Sequence, residues 1–212
     1  MGIIRRYEQR DHDAVYDICV RTADAGGDAR GMYSSDELMP DLFAGPYLFL
    51  QPDFCWVLDD GEQAAGYVIG TPDTAGFVRA YREGWTPRMA RRYPRPPDPP
   101  LTPQDEMVAM FYSPEVMVWP GLAEYPAHLH IDLLPHVQGS GYGRQLIGTF
   151  SAAARAAGAP GVHLAVVKDN VRALGFYHHL GFRQLPVADQ APVVYLGLVF
   201  LHYATGHWLT VW

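Results

Sequence analysis

Apolar and polar residues follow regular periods along most of this chain, and these periods predict short strands and helices. Residues 3–8 (IIRRYE) alternate as a strand, and DHDAVYDICVRTADAGG has apolar residues at helical spacing before a glycine stop. Residues 54–58 and 65–69 predict two strands joined by a hairpin turn at Asp60-Gly61. Residues 34–50 predict a second helix with serine caps, interrupted at Pro40 and followed by a loop.

The pattern is weakest between residues 71 and 125, which hold much of the chain's proline and an arginine cluster at 88–95. Because proline breaks regular elements, we expect surface loop and short helix here. Thr102 and Asp105 form a variant of the capping box before an apolar run. We interpret this region as an insertion within one domain of residues 1–212. The arginines either recognise an acidic acceptor or form a solvated face.

The last third of the chain is regular again. AHLHIDLL and GVHLAVV are predicted strands, GRQLIGTFSAAARAAG a helix ending at Gly158, NVRALGFYHHLGF a helix ending at Gly181, and PVVYLGLVFL a final strand. The order strand, glycine loop, helix, strand, helix predicts an α/β unit with a right-handed crossover. The tail LHYATGHWLTVW is apolar enough to add a strand or to form a homodimer contact.

Composition narrows the function. The formal net charge of −7 argues against a general nucleic-acid or anionic-membrane binder. Cys19 and Cys55 lie too far apart to form a disulfide framework or a metal motif, and we expect buried thiols in a reducing compartment. The N-terminus lacks a signal-peptide pattern, and no apolar run reaches the ~20 residues of a membrane helix. We therefore expect a soluble cytoplasmic protein without a metal site.

The stretch HVQGSGYGRQL (136–146) places three glycines between a predicted strand and a predicted helix. Backbone N–H groups and the helix dipole make such a turn a good phosphate site. Gly143 is followed by Arg144-Gln145 and not by the Lys-Ser/Thr of a P-loop, and the spacing differs from the dinucleotide fingerprint. The glycines alone are also compatible with a merely flexible start of a helix.

Two motifs together resemble the GNAT acetyltransferases. Residues 135–143 resemble the family's pyrophosphate loop, Gln/Arg-x-x-Gly-x-Gly/Ala, and the second signature is matched downstream by Asn170-x-x-Ala173-x-x-Phe176-Tyr177-x-x-Leu180-Gly181-Phe182. The resemblance implies an α/β (α+β) fold with a mixed, mostly antiparallel central sheet flanked by helices. It also implies acetyl-CoA bound where the sheet splays between AHLHIDLL and GVHLAVV.

A narrower resemblance covers nearly the whole chain, including the middle insertion. YDICVRT, DFCWVLDDGEQAAGYVIGTPDTAGF, GWTPRMARRYP and HLHIDLLPH resemble the acetyltransferase-like C-terminal domain of the O-GlcNAc hydrolases and their bacterial relatives. The eukaryotic domain is regarded as a pseudo-acetyltransferase because its glycine loop is eroded, whereas this sequence keeps the loop. The resemblance implies an acetyl-CoA-dependent N-acetyltransferase acting by direct transfer on an unidentified amine, either a small molecule or a peptide or protein. The alternatives are a non-catalytic coenzyme A-binding module and an interaction module.

The resemblance also assigns residues to the coenzyme. Backbone N–H groups of residues 138–144 would bind the pyrophosphate, and the backbones of Leu133 and Leu134 would pair with the pantetheine arm. Asn170 would hold a pantetheine amide, or it caps the following helix. The full set of expected coenzyme contacts is Leu133, Leu134, Gln138, Gly139, Ser140, Gly141, Tyr142, Gly143, Arg144, Asn170, Ala173, Phe176 and Tyr177.

Three residues are candidates for the chemistry. By resemblance, Tyr177 would protonate the departing thiolate, whereas otherwise it packs beside Phe176. His130 and Asp132 share one face of their strand, where a paired histidine and carboxylate would suit proton removal from the amine, although such groups are also common structural hydrogen-bonding partners. Glu124, near the start of that strand, is a further candidate base.

Overall fold

A computed structural model of the protein describes residues 2–187 and 192–200. Its strands are β1 Ile3–Arg6, β2 Cys55–Asp59, β3 Ala64–Thr71, β4 Ala127–Leu133, β5 Gly161–Val167, β6 Arg183–Gln184 and β7 Val193–Val199. Its α-helices are α1 His12–Val20, α2 Leu38–Phe43, α3 Gly45–Leu50, α4 Thr74–Ala80, α5 Thr86–Ala90, α6 Pro103–Met110, α7 Tyr142–Ala156 and α8 Val171–His179. Short 3₁₀ turns occur at Gln9–Asp11, Pro52–Phe54, Pro114–Met117, Pro120–Leu122 and Pro135–Val137, and a π-helical segment at Tyr81–Trp85.

The described strands form one sheet in the order β1-β2-β3-β4-β5-β7-β6. Neighbours are antiparallel except β4 and β5, which are parallel. These two strands pair only at Ala127 with Val162 and at His128 with His163, although β3 stays paired with β4 as far as Leu133. The sheet therefore opens between β4 and β5 towards their carboxyl ends. This confirms the predicted mixed, mostly antiparallel sheet splayed at its centre.

Helices cover both faces of the sheet. On β3, Gly70 faces α7 so closely that a Cβ there would lie 2.6 Å from the Phe150 ring and 2.2 Å from the His128 carbonyl oxygen. Tyr67 has the opposite parity on β3 and therefore faces the other side, where α1 packs. The split between β4 and β5 thus lies between a layer containing α7 and a layer containing α1.

The prediction for residues 34–50 is wrong in three details. The serines do not cap α2, whose N-cap is Glu37 without a side-chain hydrogen bond to the helix. Pro40 does not interrupt α2, because it lies in the first turn, where a backbone N–H has no helical acceptor to lose. The segment expected to be a loop forms α3, which begins at Gly45-Pro46.

The middle region is more helical than its composition predicted. Residues 74–90 form a continuous run through α4, the π-helical segment and α5. Asp73 caps its start by accepting from the Gly76 N–H at 3.0 Å. Buried aromatic and apolar residues recur every fourth position along this run, at Phe77, Tyr81, Trp85 and Met89. The predicted capping box of Thr102 and Asp105 is confirmed at the start of α6.

The predicted helix ends at Gly158 and Gly181 are confirmed, since both residues have positive φ just beyond α7 and α8. Within the described part of the chain, none of the helices has both the length and the apolar character needed to cross a membrane. The tail 201–212, predicted to add a strand or a dimer contact, lies outside the described residues.

Candidate active site

The start of α7 leaves its first backbone N–H groups without a capping side chain. Its N-cap is Gly141, which has a left-handed backbone and no side chain. Side chains cap α4, α6 and α8, at Asp73, Thr102 and Asn170, whereas α1, α2, α3 and α5 also lack a side-chain cap but do not begin at a left-handed glycine. Because the first-turn N–H groups of a helix need an acceptor and carry partial positive charge, the start of α7 is suited to an anion.

The three loop glycines serve different purposes. Gly139 and Gly141 have φ of +76° and +82°, and a Cβ at either would point into open space. These two positions have a left-handed backbone conformation that glycine adopts without strain, and the missing side chains leave room for a ligand. Gly143 is buried, and a Cβ there would lie 3.0 Å from Phe176 Cζ. Gly143 therefore allows α7 to approach α8, a packing reason that the sequence did not reveal.

The remaining loop side chains occupy varied positions. Gln138 Nε2 donates to the Leu133 carbonyl at 2.7 Å, and the Tyr142 hydroxyl accepts from the Gly2 N–H at 2.8 Å. Ser140 is exposed, and Arg144 borders a shallow surface beside β1. Since Gln138 and Tyr142 have protein partners for their side chains, a ligand role for them would use the backbone.

At the end of β4, the backbone of Leu134, a predicted coenzyme contact, already has hydrogen-bond partners within the protein. Its N–H donates to the Ala65 carbonyl of β3 at 2.9 Å, and its carbonyl accepts from the Val137 N–H. Both backbone groups are thus engaged within the protein. Because backbone direction alternates along a strand, Leu133 turns its backbone towards the split, as does Ile131, which the sequence analysis did not select. Ile131 and the N–H of Leu133 thus face the split, whereas the Leu133 carbonyl already accepts from Gln138 Nε2.

At the start of α8, Asn170 forms the predicted helix cap. Its Oδ1 accepts from the Ala173 N–H at 3.0 Å. This hydrogen bond uses one side-chain atom, so the amide Nδ2 is the group that would reach a ligand. Phe176 lies on the same helix against Gly143.

Tyr177 is buried, with 8% of its surface exposed, and its ring packs against Phe176 and Phe182. Burial and then the charge of Asp132 raise the pKa of Tyr177 above its ordinary value. The phenol is therefore a neutral hydroxyl at pH 7. It lies close enough to Asp132 for the negative charge of that carboxylate to disfavour the phenolate.

His130 and Asp132 share a face of β4 as predicted, but each has a different partner. The Tyr67 hydroxyl donates to Asp132 Oδ2, whereas His130 Nε2 lies 3.1 Å from the Tyr47 hydroxyl. Burial raises the pKa of Asp132 to about 6 and lowers the pKa of His130 to about 4. The expected pairing of His130 with Asp132 is replaced by two separate tyrosine contacts.

His130 ends a chain of hydrogen bonds whose direction can be assigned. The Thr74 hydroxyl donates to the Pro126 carbonyl at 2.7 Å, so at its 2.7 Å contact it must accept from His128 Nδ1. His128 Nε2 then accepts from the Tyr47 hydroxyl at 2.6 Å, and Tyr47 in turn accepts from His130 Nε2. Neutral His130 therefore carries its lone pair on Nδ1, which makes Nδ1 the atom able to take a proton.

A third histidine, His163, lies on β5 opposite His128, at the last paired position before the split. Its Nδ1 donates to the Tyr125 carbonyl at 2.7 Å, and burial lowers its pKa. His128, His130 and His163 border a cavity of about 180 Å³ between the two splayed strands. No group of three or more His, Cys, Asp or Glu side chains within residues 2–187 and 192–200 could hold a metal ion.

Sequence reasoning missed Tyr47, Thr74 and His163 as members of this site. The alternation of His128 and His130 in HLHID was the one signal available, because these histidines share a face of their strand. Glu124 is exposed, and its carbonyl lies next to Gly161, the first residue of β5. It is therefore at the paired end of the strands, away from the opening.

Comparisons with known proteins agree with this geometry. Residues 101–182 match the model of the acetyltransferase (GNAT) family. Protein O-GlcNAcase of Rattus norvegicus is 29% identical over 198 residues, which is 92% of this chain but 22% of that protein. The chain therefore spans about a fifth of the length of that curated relative.

Solved structures extend the likeness to the fold. The crystal structure of SsHAT is 50% identical, with a TM-score of 0.89, over 93% of this chain and 98% of that one. The structure of yncA from Salmonella typhimurium, solved with its cofactor acetyl-CoA, is 14% identical with a TM-score of 0.55 over 96% of each chain, and it supports the fold alone. The family match, the glycine loop, the splayed sheet and a relative that is 50% identical over 93% of this chain together show that this chain belongs to the GNAT acetyltransferase family.

Proposed function

We propose that this protein is an acetyl-CoA-dependent N-acetyltransferase that transfers the acetyl group directly to an amine. The observation that carries the proposal is the start of α7, which has a glycine N-cap and no capping side chain. The nearby Gly139 and Gly141 leave open space where side chains would stand. A pyrophosphate placed here would accept from the N–H groups of residues 142–144.

The other residues of the site have complementary tasks in this proposal. The backbones of Ile131 and Leu133 would hold the pantetheine arm, and Asn170 Nδ2 would bind one of its amides. Acetyl-CoA supplies the acetyl group as a thioester. His130 would take the proton of the amine on Nδ1, and the Tyr177 hydroxyl would give a proton to the departing sulfur.

A non-catalytic coenzyme-binding module is the second candidate. The buried position of Tyr177 favours it, because burial raises the pKa of the phenol and makes it a weaker acid. The O-GlcNAcase relative also contains this region as about a fifth of a longer protein. Both candidates bind acetyl-CoA, so turnover separates them.

The test of catalysis is thioester consumption, followed as released thiol, over a panel of aromatic and aliphatic amines. We expect turnover that falls about 100-fold in Tyr177→Phe, the range typical of a lost general acid. Tyr7→Phe is the matched control, because it removes one hydroxyl at the β1 edge of the sheet and is expected to leave turnover unchanged. Acetyl-CoA affinity should be the same in all three proteins.

Binding of acetyl-CoA without turnover of any amine in the panel would contradict the enzyme and favour the binding module. Turnover with unchanged rate in Tyr177→Phe would contradict the part given to Tyr177 and leave the transferase intact.

A further inference from the structure

The cavity between β4 and β5 is partly open to solvent and is bordered by two different parts of the fold. Leu129 and His130 of β4 and Leu164 of β5 form the sheet side, where the two strands diverge. Phe43 of α2 and Met110 of α6 belong to the elements packed over it. The cavity therefore lies beside the place where a thioester held between the strands would present its acetyl group.

No charged side chain lines this cavity within the described part of the chain. Its walls are aromatic and aliphatic side chains, methionines, one serine and three histidines, with no carboxylate, lysine or arginine among them. A cation that entered would lose its water without gaining a counterion. Burial of an unpaired ion is costly in a protein interior.

The three histidines also disfavour positive charge. Burial lowers the pKa of His128 and His130, and proximity to His163 lowers both further. In their neutral forms they offer lone pairs, at Nδ1 of His130 and at Nε2 of His163, whose Nδ1 donates to Tyr125. These nitrogens accept hydrogen bonds from an N–H₂ group but provide no negative charge.

We propose that the acceptor is a small aromatic amine that is uncharged at neutral pH, bound in this cavity; this inference rests on the proposed transferase function. The volume of about 180 Å³ suits one substituted ring, since a cavity of about 150 Å³ lined by apolar residues holds benzene. Aromatic walls at Phe43, Tyr81 and Tyr195 suit the faces and edges of such a ring. A lysine side chain, by contrast, would have to lose its proton first.

The transfer step balances without any further reactant. The amine nitrogen forms a bond to the acetyl carbonyl carbon while the carbon–sulfur bond of the thioester breaks. The nitrogen gives up one proton to His130 Nδ1, and the sulfur leaves with the bonding electron pair and takes a proton from Tyr177. The products are an N-aryl acetamide and free coenzyme A, and transfer of the His130 proton to the Tyr177 phenolate through solvent restores both neutral side chains.

The test uses two isomers, 4-methylaniline and benzylamine, which have the same atoms but differ in charge at pH 7. The aniline is neutral, whereas benzylamine is a cation. We expect kcat/KM for 4-methylaniline to exceed that for benzylamine about 100-fold, because the cation must be neutralised or buried unpaired. Equal values, or a preference for benzylamine, would overturn the inference and leave the transferase standing.

A charge placed in the cavity should reverse this preference. Met110 lines the cavity and is 37% exposed, so a polar residue is tolerated there. Met110→Glu supplies the missing counterion, and we expect it to shift the ratio of the two kcat/KM values towards benzylamine by about 10-fold or more. Met110→Gln has the same shape without the charge and should not shift the ratio. An unchanged ratio in Met110→Glu would contradict the placement of the amine.

Binding of the isomers to the protein alone separates this inference from the proposed function. Saturation-transfer NMR should detect 4-methylaniline, not benzylamine, and the signal should be lost in Ser113→Phe, which fills the cavity wall. Val118→Phe adds the same ring to the same loop at a position that does not line the cavity, and should bind as the parent does. Selective binding without acetyl-CoA affinity would refute the transferase and keep the neutral-ligand site. Absence of binding by either isomer would overturn the site itself.

Discussion

Asp41→Ala is expected to lower the free energy of unfolding by about 3–5 kcal/mol. The Asp41 carboxylate is buried and accepts from the Tyr16 hydroxyl at 2.8 Å, the Tyr93 hydroxyl at 2.9 Å and Arg92 at 3.0 Å. The Trp85 indole N–H also donates to the Asp41 carbonyl. One side chain thus joins α1 and α2 to the segment that begins with α4, so its loss leaves the buried Tyr93 hydroxyl and the partly buried Tyr16 hydroxyl without their acceptor.

Glu37→Ala is the matched control for Asp41→Ala. Glu37 pairs with the same Arg92, but its side chain is 55% exposed. Exposed ion pairs contribute about 0–1 kcal/mol, so chemical denaturation should show a small change. An equal decrease in the free energy of unfolding in the two variants would show that the Asp41 hydrogen bonds do not stabilise the packing of the middle region.

The second large effect concerns pH. The free energy of unfolding is expected to fall by about 3 kcal/mol or more between pH 7 and pH 4, measured by urea denaturation at each pH. The pKa values of His128, His130 and His163 are lowered by burial in the folded protein, that of His130 to about 4. Below about pH 6.5 these histidines are protonated in the unfolded chain but stay neutral in the folded protein. Each of them then lowers the free energy of unfolding by about 1.4 kcal/mol per pH unit.

Asp132 acts in the opposite direction. Burial raises its pKa from 3.8 to about 6, so in this window the folded protein holds a proton that the unfolded chain has released. Its contribution to stability is complete below about pH 3.8 and is lost as the pH rises through 6. The stability lost through the three histidines exceeds the stability gained through this one carboxyl. The free energy of unfolding therefore falls as the pH is lowered.

Asp132→Asn removes the opposing contribution, while its amide oxygen still accepts from Tyr67. We therefore expect a steeper loss of stability between pH 6 and pH 4 in this variant than in the parent. A stability that is flat over this range in the parent would show that the histidines are not held neutral. If the free energy of unfolding depends on pH in the same way in Asp132→Asn and in the parent, the pKa of Asp132 is not raised in the folded protein.

The sequence was sufficient for the fold around the glycine loop. Strand, loop and helix periods fell in an order that only a few topologies accommodate, and the two signatures placed the opening between β4 and β5. The helical content of the middle region was underestimated because Pro87 and the later prolines were interpreted as breaks in regular structure. The apolar spacing of Phe77, Tyr81, Trp85 and Met89 carried the helical signal and was outweighed by composition.

The site was predicted less completely, for a geometric reason. The loop glycines and Asn170 act through local backbone geometry, which a short motif records. The hydrogen-bond chain from Thr74 through His128 and Tyr47 to His130 joins residues that are 54 to 83 positions apart in the chain. No local period encodes such contacts, so Tyr47 and Thr74 became visible only when the helices were packed on β4. The same packing gave Asp132 and His130 different partners.

The most direct test of the central claim, that the start of α7 binds the pyrophosphate of acetyl-CoA, is a calorimetric titration of three proteins. Gly141→Asp places a negative charge at this helix start, whereas Gly158→Asp makes the same change just beyond the other end of α7. Both glycines have positive φ, +82° and +94°, and open space around a Cβ, so the backbone strain is matched. We predict heat of binding in the parent and in Gly158→Asp, and an affinity at least about 10-fold weaker in Gly141→Asp. No binding at millimolar acetyl-CoA in the parent, or equal affinity in all three proteins, would contradict the account.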